Sequence, residues 1–215
     1  MKKAKHIVIE GTEGVGKTTQ VKLLIEALKS SGSSVLETKE PGSPHDQLTM
    51  DLRKVMLDAS FDLPRPAREL ISQAIRSIHM EKVVKPALLT HDFIIQDRGI
   101  LSGLAYGEAC GNELPQLQNL IKYALGDFND GQILNVYDKV IVLMGDAKKG
   151  LARAQAAKQE FEGGDAIESK GNDFMVHVRD NFIEYSKHLG NVVFIQVEGK
   201  TREDVLSLIL AEINF

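Results

Sequence analysis

Between Gly11 and Thr19 the chain reads GTEGVGKTT, with three glycines, one lysine and a closing pair of threonines. Gly11 to Thr18 fits G-x-x-x-x-G-K-[ST], a spacing that lets backbone N–H groups converge on phosphate oxygens. Gly11, Thr12, Gly14, Val15, Gly16 and Thr19 would form the cradle. Lys17 would reach the β- and γ-phosphates, and the Thr18 hydroxyl would hold Mg²⁺. A helix starting near Lys17 would add the positive end of its dipole. The pattern implies a bound nucleoside triphosphate and leaves kinases, switch GTPases and motor ATPases open; a guanine-reading Asn-Lys-x-Asp is absent from the chain. Glu13 is the odd residue, a carboxylate inside a loop suited to anions. At ~4 Å and an effective dielectric of about 20, two like charges repel by about 4 kcal/mol. Glu13 therefore makes sense only if it turns away from the triphosphate toward a polar partner.

The elements that must carry this loop are legible in the apolar pattern. Strand-length runs occur at His6–Glu10, Ser34–Thr38, Phe93–Gln96, Lys139–Leu143 and Val192–Val197. Helical spacing fills Thr18–Lys29, Glu69–Leu89, Ser102–Ala109, Leu151–Lys158 and Phe174–Leu189. Strands alternating with helices predict a parallel, doubly wound α/β sheet of five strands with helices on both faces. Ligands of such sheets sit beyond the carboxyl ends of the strands. Gln159–Gly171 is polar, holds Gly163 and Gly164 and has no period, and reads as a mobile loop between two helices.

At 215 residues, 43% hydrophobic and 26% charged, the chain suits one globular domain spanning 1–215. A net charge of −4 excludes a global basic field for nucleic acid. Cys110 is the single cysteine, so an intramolecular disulfide is excluded and a buried thiol expected. The basic start MKKAK is followed by too short an apolar run for a signal peptide, and no stretch approaches a membrane span. A cytoplasmic location with no membrane partner is expected. The six histidines show no metal-ligand spacing and are read as surface or core residues.

Further motifs follow in order: Lys39-Glu-Pro-Gly-Ser43, Leu52-Arg53-Lys-Val-Met-Leu57, Asp97-Arg98 with Ser102 and Ala105-Tyr106, then Leu151-Ala-Arg153-Ala, and Asp173-Phe174 with Arg179. Together with the cradle they resemble the thymidylate kinases across nearly the whole chain. The resemblance implies a P-loop kinase fold with a lid at about 153–171, homodimers, and transfer of the γ-phosphoryl of ATP to a deoxynucleoside monophosphate, dTMP by default. It implies that Glu13 accepts a hydrogen bond from the acceptor's 3′-hydroxyl. Asp97 and Thr18 would hold Mg²⁺, and Arg98 would touch both the acceptor phosphate and the transferring group. Arg53 would bind the acceptor phosphate, Arg76 the base, and Pro41, Ser102 and Tyr106 would line the acceptor pocket.

Two positions depart from the family pattern. Ser72 stands where a phenylalanine normally stacks on the base, with Gln73 beside it. Ala166 occupies the slot of a lid arginine, leaving Lys158 to close over the transferring phosphate and Arg153 to lie along ATP. Rival readings are the same reaction on a modified pyrimidine or purine deoxynucleotide, and a nucleotide-binding module without transfer.

Overall fold

The computed structural model describes residues 4–126, 136–156, 165–187 and 190–215. Five strands, β1 (Lys5–Gly11), β2 (Val35–Lys39), β3 (Phe93–Asp97), β4 (Lys139–Met144) and β5 (Val192–Gln196), form one sheet in the order β2-β3-β1-β4-β5. All four pairings are parallel. This is the expected doubly wound sheet, and each strand end lies within one residue of the sequence expectation.

Strand parity divides the core. Odd-numbered Ile7, Ile9, Ile95, Ile141, Leu143 and Ile195 pack against α1 (Lys17–Ser30) and α9 (Arg202–Glu212) through Leu24, Leu28, Val205 and Ile209. Even-numbered Val8, Ile94, Val140 and Val142 face the other layer. There they meet Leu101 and Leu104 of α5 (Ile100–Ala109), Leu117 and Ile121 of α6 (Leu114–Leu125), and Phe182 of α8 (Gly171–Ser186). Burial on both faces explains why β1 and β4 read as near-continuous apolar runs. Each branched side chain so withdrawn from water contributes about 1.5–3 kcal/mol. The even face also holds the buried polar residues His6, Glu10, Thr38 and Gln96.

Other elements refine the sequence reading. The helix expected over Glu69–Leu89 is α3 (Arg65–His79), one wide π-type turn over Met80–Val84, and α4 (Lys85–Thr90). Pro86 follows directly; in a regular helix its ring would meet the Lys82 carbonyl, and the wide turn lies where that conflict would arise. Three helices were absent from the expectation: α2 (Gln47–Leu57), α6 and α9. Their signals were local. Asp46 caps α2 by accepting from the Thr49 N–H at 3.0 Å. Leu117, Ile121 and Leu125 recur at helical spacing in α6. Thr201 and Asp204 form a capping box at the start of α9.

The segment expected to be a loop over Gln159–Gly171 includes residues outside those described. Its described part returns onto α2: the Ala166 N–H donates to the Leu57 carbonyl at 2.9 Å, and Asp165 bridges Asp58. Glu168–Lys170 form a short 3₁₀ turn before α8. Before this segment lies α7 (Ala147–Ala156). No helix among the described residues is long and apolar enough to cross a membrane.

Candidate active site

The strand register brings the chemistry to one edge. Ile9 and Lys39 both lie beside Asp97, and Gly11 beside Leu143, so the carboxyl ends of β1 to β4 open on the same side. The chain leaves β1 at Gly11, turns through Gly14 and Gly16 at positive φ, and enters α1 at Lys17. Lys17 is buried, and its Nζ donates to the Thr12 carbonyl of the same loop at 2.6 Å. Burial, then the neighbouring Arg98 guanidinium, bring the Lys17 pKa down to about 8. A positive group so poorly solvated gains from an incoming phosphate more than an exposed lysine would.

One residue on, the Thr18 hydroxyl donates to Asp97 Oδ2 at 2.9 Å. The other carboxylate oxygen, Oδ1, is buried without a hydrogen-bond partner. No group of three or more His, Cys, Asp or Glu side chains able to hold a metal occurs among the described residues. The hydroxyl, the carboxylate and its unpartnered oxygen fit Mg²⁺, an ion held by one or two carboxylates and completed by substrate phosphates and water.

Arg98 follows immediately and takes a left-handed backbone conformation with φ of 62°. That turn throws its side chain back across the cradle. Nη1 donates to the Gly11 carbonyl at 2.9 Å and to Ser102 Oγ at 3.1 Å, while Nη2 donates to Glu13 Oε1 at 2.5 Å. Tyr106 donates its hydroxyl to the same Glu13 oxygen at 3.2 Å, and its ring lies 5.0 Å beneath the guanidinium. Burial opposes charge on Glu13, yet Arg98 and Lys17 hold its carboxyl at about 2. Glu13 thus turns from the cradle toward α5, as the repulsion argument required. Its partner, Arg98, was not foreseen. Glu13, Arg98, Ser102 and Tyr106 come together; only their separate memberships in motifs hinted at it.

Beyond the end of β2, Arg53 of α2 donates from Nη1 to the Pro41 carbonyl at 3.0 Å. Gly42, at φ of 83°, lies so close beneath the Arg53 stem that a Cβ would come within 2.9 Å of it. Arg76 is 3% exposed, which places it inside a polar chain rather than on an open wall. Its Nε donates to Glu40 at 3.0 Å and its Nη1 to Gln73 at 2.6 Å, and Gln73 donates to Glu69 at 2.6 Å. His79 joins the other Glu40 oxygen at 3.0 Å. The Arg76 guanidinium lies against Gly103 of α5, with Nη2 nearest. Ser72 is half-buried on the same helix. Neither Glu40 nor Gln73 was recognised as a partner of Arg76 from sequence, because Gln73 drew attention only as a neighbour of Ser72.

A cleft of about 320 Å³ lies beside the cradle, lined by Gly14, Val15, Gly16, Thr19, Gln20 and Arg153 and, opposite, by Val197, Lys200, Thr201, Arg202 and Val205. Arg153 lines this cleft, whereas Lys158 lies outside the described residues. Lys200 and Arg202 on the opposite wall were missed, since the β5–α9 turn carries no motif. α7 presses directly on the loop: a Cβ at Gly14 would overlap the Gly150 carbonyl, and one at Gly150 would overlap the Glu13 carbonyl. Gly150→Ala is expected to push α7 off the cradle, lowering stability by about 1–3 kcal/mol and weakening ATP binding, measurable by denaturant titration and calorimetry.

Comparison with known proteins bears on this arrangement. The family model described as thymidylate kinase matches residues 9–209. The chain belongs to the thymidylate kinase family. The thymidylate kinase of Vibrio campbellii is 31% identical, covering 100% of this chain and 97% of the relative. That of Campylobacter concisus is 34% identical over 81% of this chain and 80% of its own length. The crystal structure of the thymidylate kinase from Ehrlichia chaffeensis matches with a TM-score of 0.72 at 22% identity, covering 99% of this chain and all of that one. It shows the shared fold.

Proposed function

We propose that this member of the thymidylate kinase family transfers the γ-phosphoryl of ATP to dTMP, giving ADP and dTDP. The observation that carries the reading is the Glu13–Arg98 pair, which joins the third residue of the cradle to the carboxyl end of β3 at 2.5 Å. A group that touches both the triphosphate loop and the neighbouring pocket is what transfer between two nucleotides demands. An oxygen of the dTMP phosphate attacks the γ-phosphorus, and the bond to the β–γ bridging oxygen breaks, leaving ADP.

Each side chain has a defined task in this reading. Lys17 exchanges the Thr12 carbonyl for the β- and γ-phosphates. Arg98 spans acceptor phosphate and transferring group, its planar fork suited to two oxygens at once. Both bonds to Glu13 fall on Oε1, so Oε2 is the oxygen offered to the sugar 3′-hydroxyl. Arg53 meets the acceptor phosphate beside Pro41, and Arg76 approaches the base through Nη2, with Ser72 and Tyr106 nearby. Arg153 lies along ATP in the donor cleft and Lys158, in a lid at about 153–171, closes over the transferring phosphate. Thr18 and Asp97 would hold Mg²⁺, which would neutralise charge on the donor phosphates. Asp97→Asn is expected to raise the Mg²⁺ concentration needed for half-maximal rate by about tenfold, read from a Mg²⁺ titration at fixed ATP.

The whole chain acts in this reading as one kinase domain, cytoplasmic and homodimeric. Exposed Leu70 on α3 and Tyr123 on α6, two helices that pack together, support a dimer surface; light scattering on the purified protein tests it. The activity itself is tested by ADP production across a panel of monophosphates at fixed ATP. The reading expects dTMP to rank first. A higher rate on another acceptor moves the assignment to that base, and binding without ADP production removes transfer altogether.

A further inference from the structure

Glu10 is the last charged residue before the cradle and lies wholly out of solvent, at 0% exposure. It sits on the even face of β1, the side that meets α5. Oε1 accepts from the Gly99 N–H at 2.9 Å and the Ser102 N–H at 3.0 Å, so it caps the first turn of α5. Oε2 accepts from the Ser102 hydroxyl. Every bond runs to the segment that starts at Arg98. With both oxygens occupied and no solvent access, Glu10 can neither touch a nucleotide nor serve as a base. Its effect must pass through its neighbours.

We propose that Glu10 is a positioning residue for phosphoryl transfer, acting through Ser102 on Arg98. Burial raises the Glu10 carboxyl above its ordinary range, while the Ser102 hydroxyl and N–H, Arg98 and the Gly99 N–H oppose that rise by favouring the charged form. As a carboxylate Glu10 only accepts, which fixes the direction of the Ser102 O–H and turns that oxygen's lone pairs toward Arg98 Nη1, 3.1 Å away. The relay ends at the guanidinium that reaches Glu13. A second even-face residue holds the same turn from behind. Gln96, also 0% exposed, donates from Nε2 to the Arg98 carbonyl at 2.8 Å and is itself oriented by His6 at 2.8 Å. Tyr137 accepts from the Ile100 N–H at 3.2 Å. These contacts hold a non-glycine residue at positive φ, a conformation that persists only where the surroundings over-determine it. Glu10 differs from the other supports in that it also sets the polarity of a hydrogen bond made by the Arg98 side chain.

That polarity makes the role separable from a structural one. In Glu10→Gln the two backbone N–H groups force the amide oxygen into the place of Oε1. The NH₂ then takes the place of Oε2 and donates to Ser102 Oγ. The serine proton then loses its acceptor, so the lone pair that faced Arg98 Nη1 is no longer held in that direction. The substitution is isosteric, keeps the helix cap and removes the acceptor that set the direction of the relay.

The inference rests on the reading of Arg98 as a transfer residue, and its test compares variants on whichever monophosphate the wild-type enzyme phosphorylates best. Glu10→Gln and Ser102→Ala are each expected to lower kcat about tenfold, while KM for ATP stays within about threefold. The double variant is expected to fall about tenfold as well, because both substitutions break the same relay. Independent damage at the two positions would multiply instead, to about 100-fold. A wild-type kcat in Glu10→Gln, or a double variant about 100-fold below wild type, overturns the proposal. Where Glu10→Gln does not fold, Ser102→Ala decides: unchanged kcat overturns it. Absence of any ADP production by the wild-type protein would instead remove the functional reading on which it rests.

Discussion

Lys17→Met is expected to lower kcat by about 10³-fold, the upper range for removing one preorganised group that meets developing charge. The methionine keeps the length and apolar stem while deleting the charge, so the buried side chain still packs. The same lysine should give ATP binding a distinctive pH dependence. With its ligand-free pKa depressed from 10.5 to about 8, first by burial and then by Arg98, Lys17 loses its proton as pH rises through 8. The triphosphate favours the charged form and draws the pKa back up. Below pH 8 binding therefore needs no proton; above it, binding takes one up and apparent affinity falls by at most about tenfold per unit. Calorimetry at pH 9 in two buffers of different ionisation enthalpy should report uptake approaching one proton per ATP. Uptake that persists in Lys17→Met would assign the proton to another group.

Glu13→Ala is expected to lower kcat/KM for the monophosphate about 100-fold while leaving KM for ATP within about threefold. Two losses combine in that figure: the oxygen offered to the sugar hydroxyl, and the anchor that orients Arg98 through Nη2. Because Arg98 and Lys17 hold the Glu13 carboxyl at about 2 against the opposing effect of burial, it stays ionised across any assay range above pH 4. The wild-type pH profile should show no acidic limb belonging to it. Equal loss on ATP and monophosphate would mean that Glu13 serves the cradle itself, and the division between donor and acceptor sides would have to be redrawn.

How much of this was readable in advance follows from where each signal resides. The strands were legible because parallel strands buried on both faces become apolar runs, as Ile7-Val8-Ile9 and Val140 to Leu143 show. The cradle was legible because its function fixes glycine and lysine spacing within eight residues. Arg98 was legible as a motif member, but not its left-handed backbone, which depends on Glu10, Gln96 and Tyr137 from three other elements. Glu10 looked like the end of an apolar run; nothing local says that its donors lie 89 and 92 residues away. Arg76 was expected to meet the base, but its buried bond to Glu40, 36 residues away, could not be read locally, and Gln73, one turn earlier on α3, drew notice only beside Ser72. The α9 start could have been read from Thr201 and Asp204, whereas the contribution of Lys200 and Arg202 to the donor cleft depends on β5 ending beside the cradle.

The parity of the sheet carries a consequence for folding as well as for chemistry. Glu10 and Gln96 occupy even positions, where hydrogen-bonding groups of the Arg98–Ser102 segment await them, and His6 beside them bonds Gln96. Sliding β1 or β3 by one residue would turn them toward Leu24, Leu28 and Ile209, a purely hydrocarbon surface with nothing to satisfy a carboxylate or an amide. Misaligned sheets are thereby penalised by the very side chains that later steady the arginine. The reaction centre doubles as a proofreader of strand alignment.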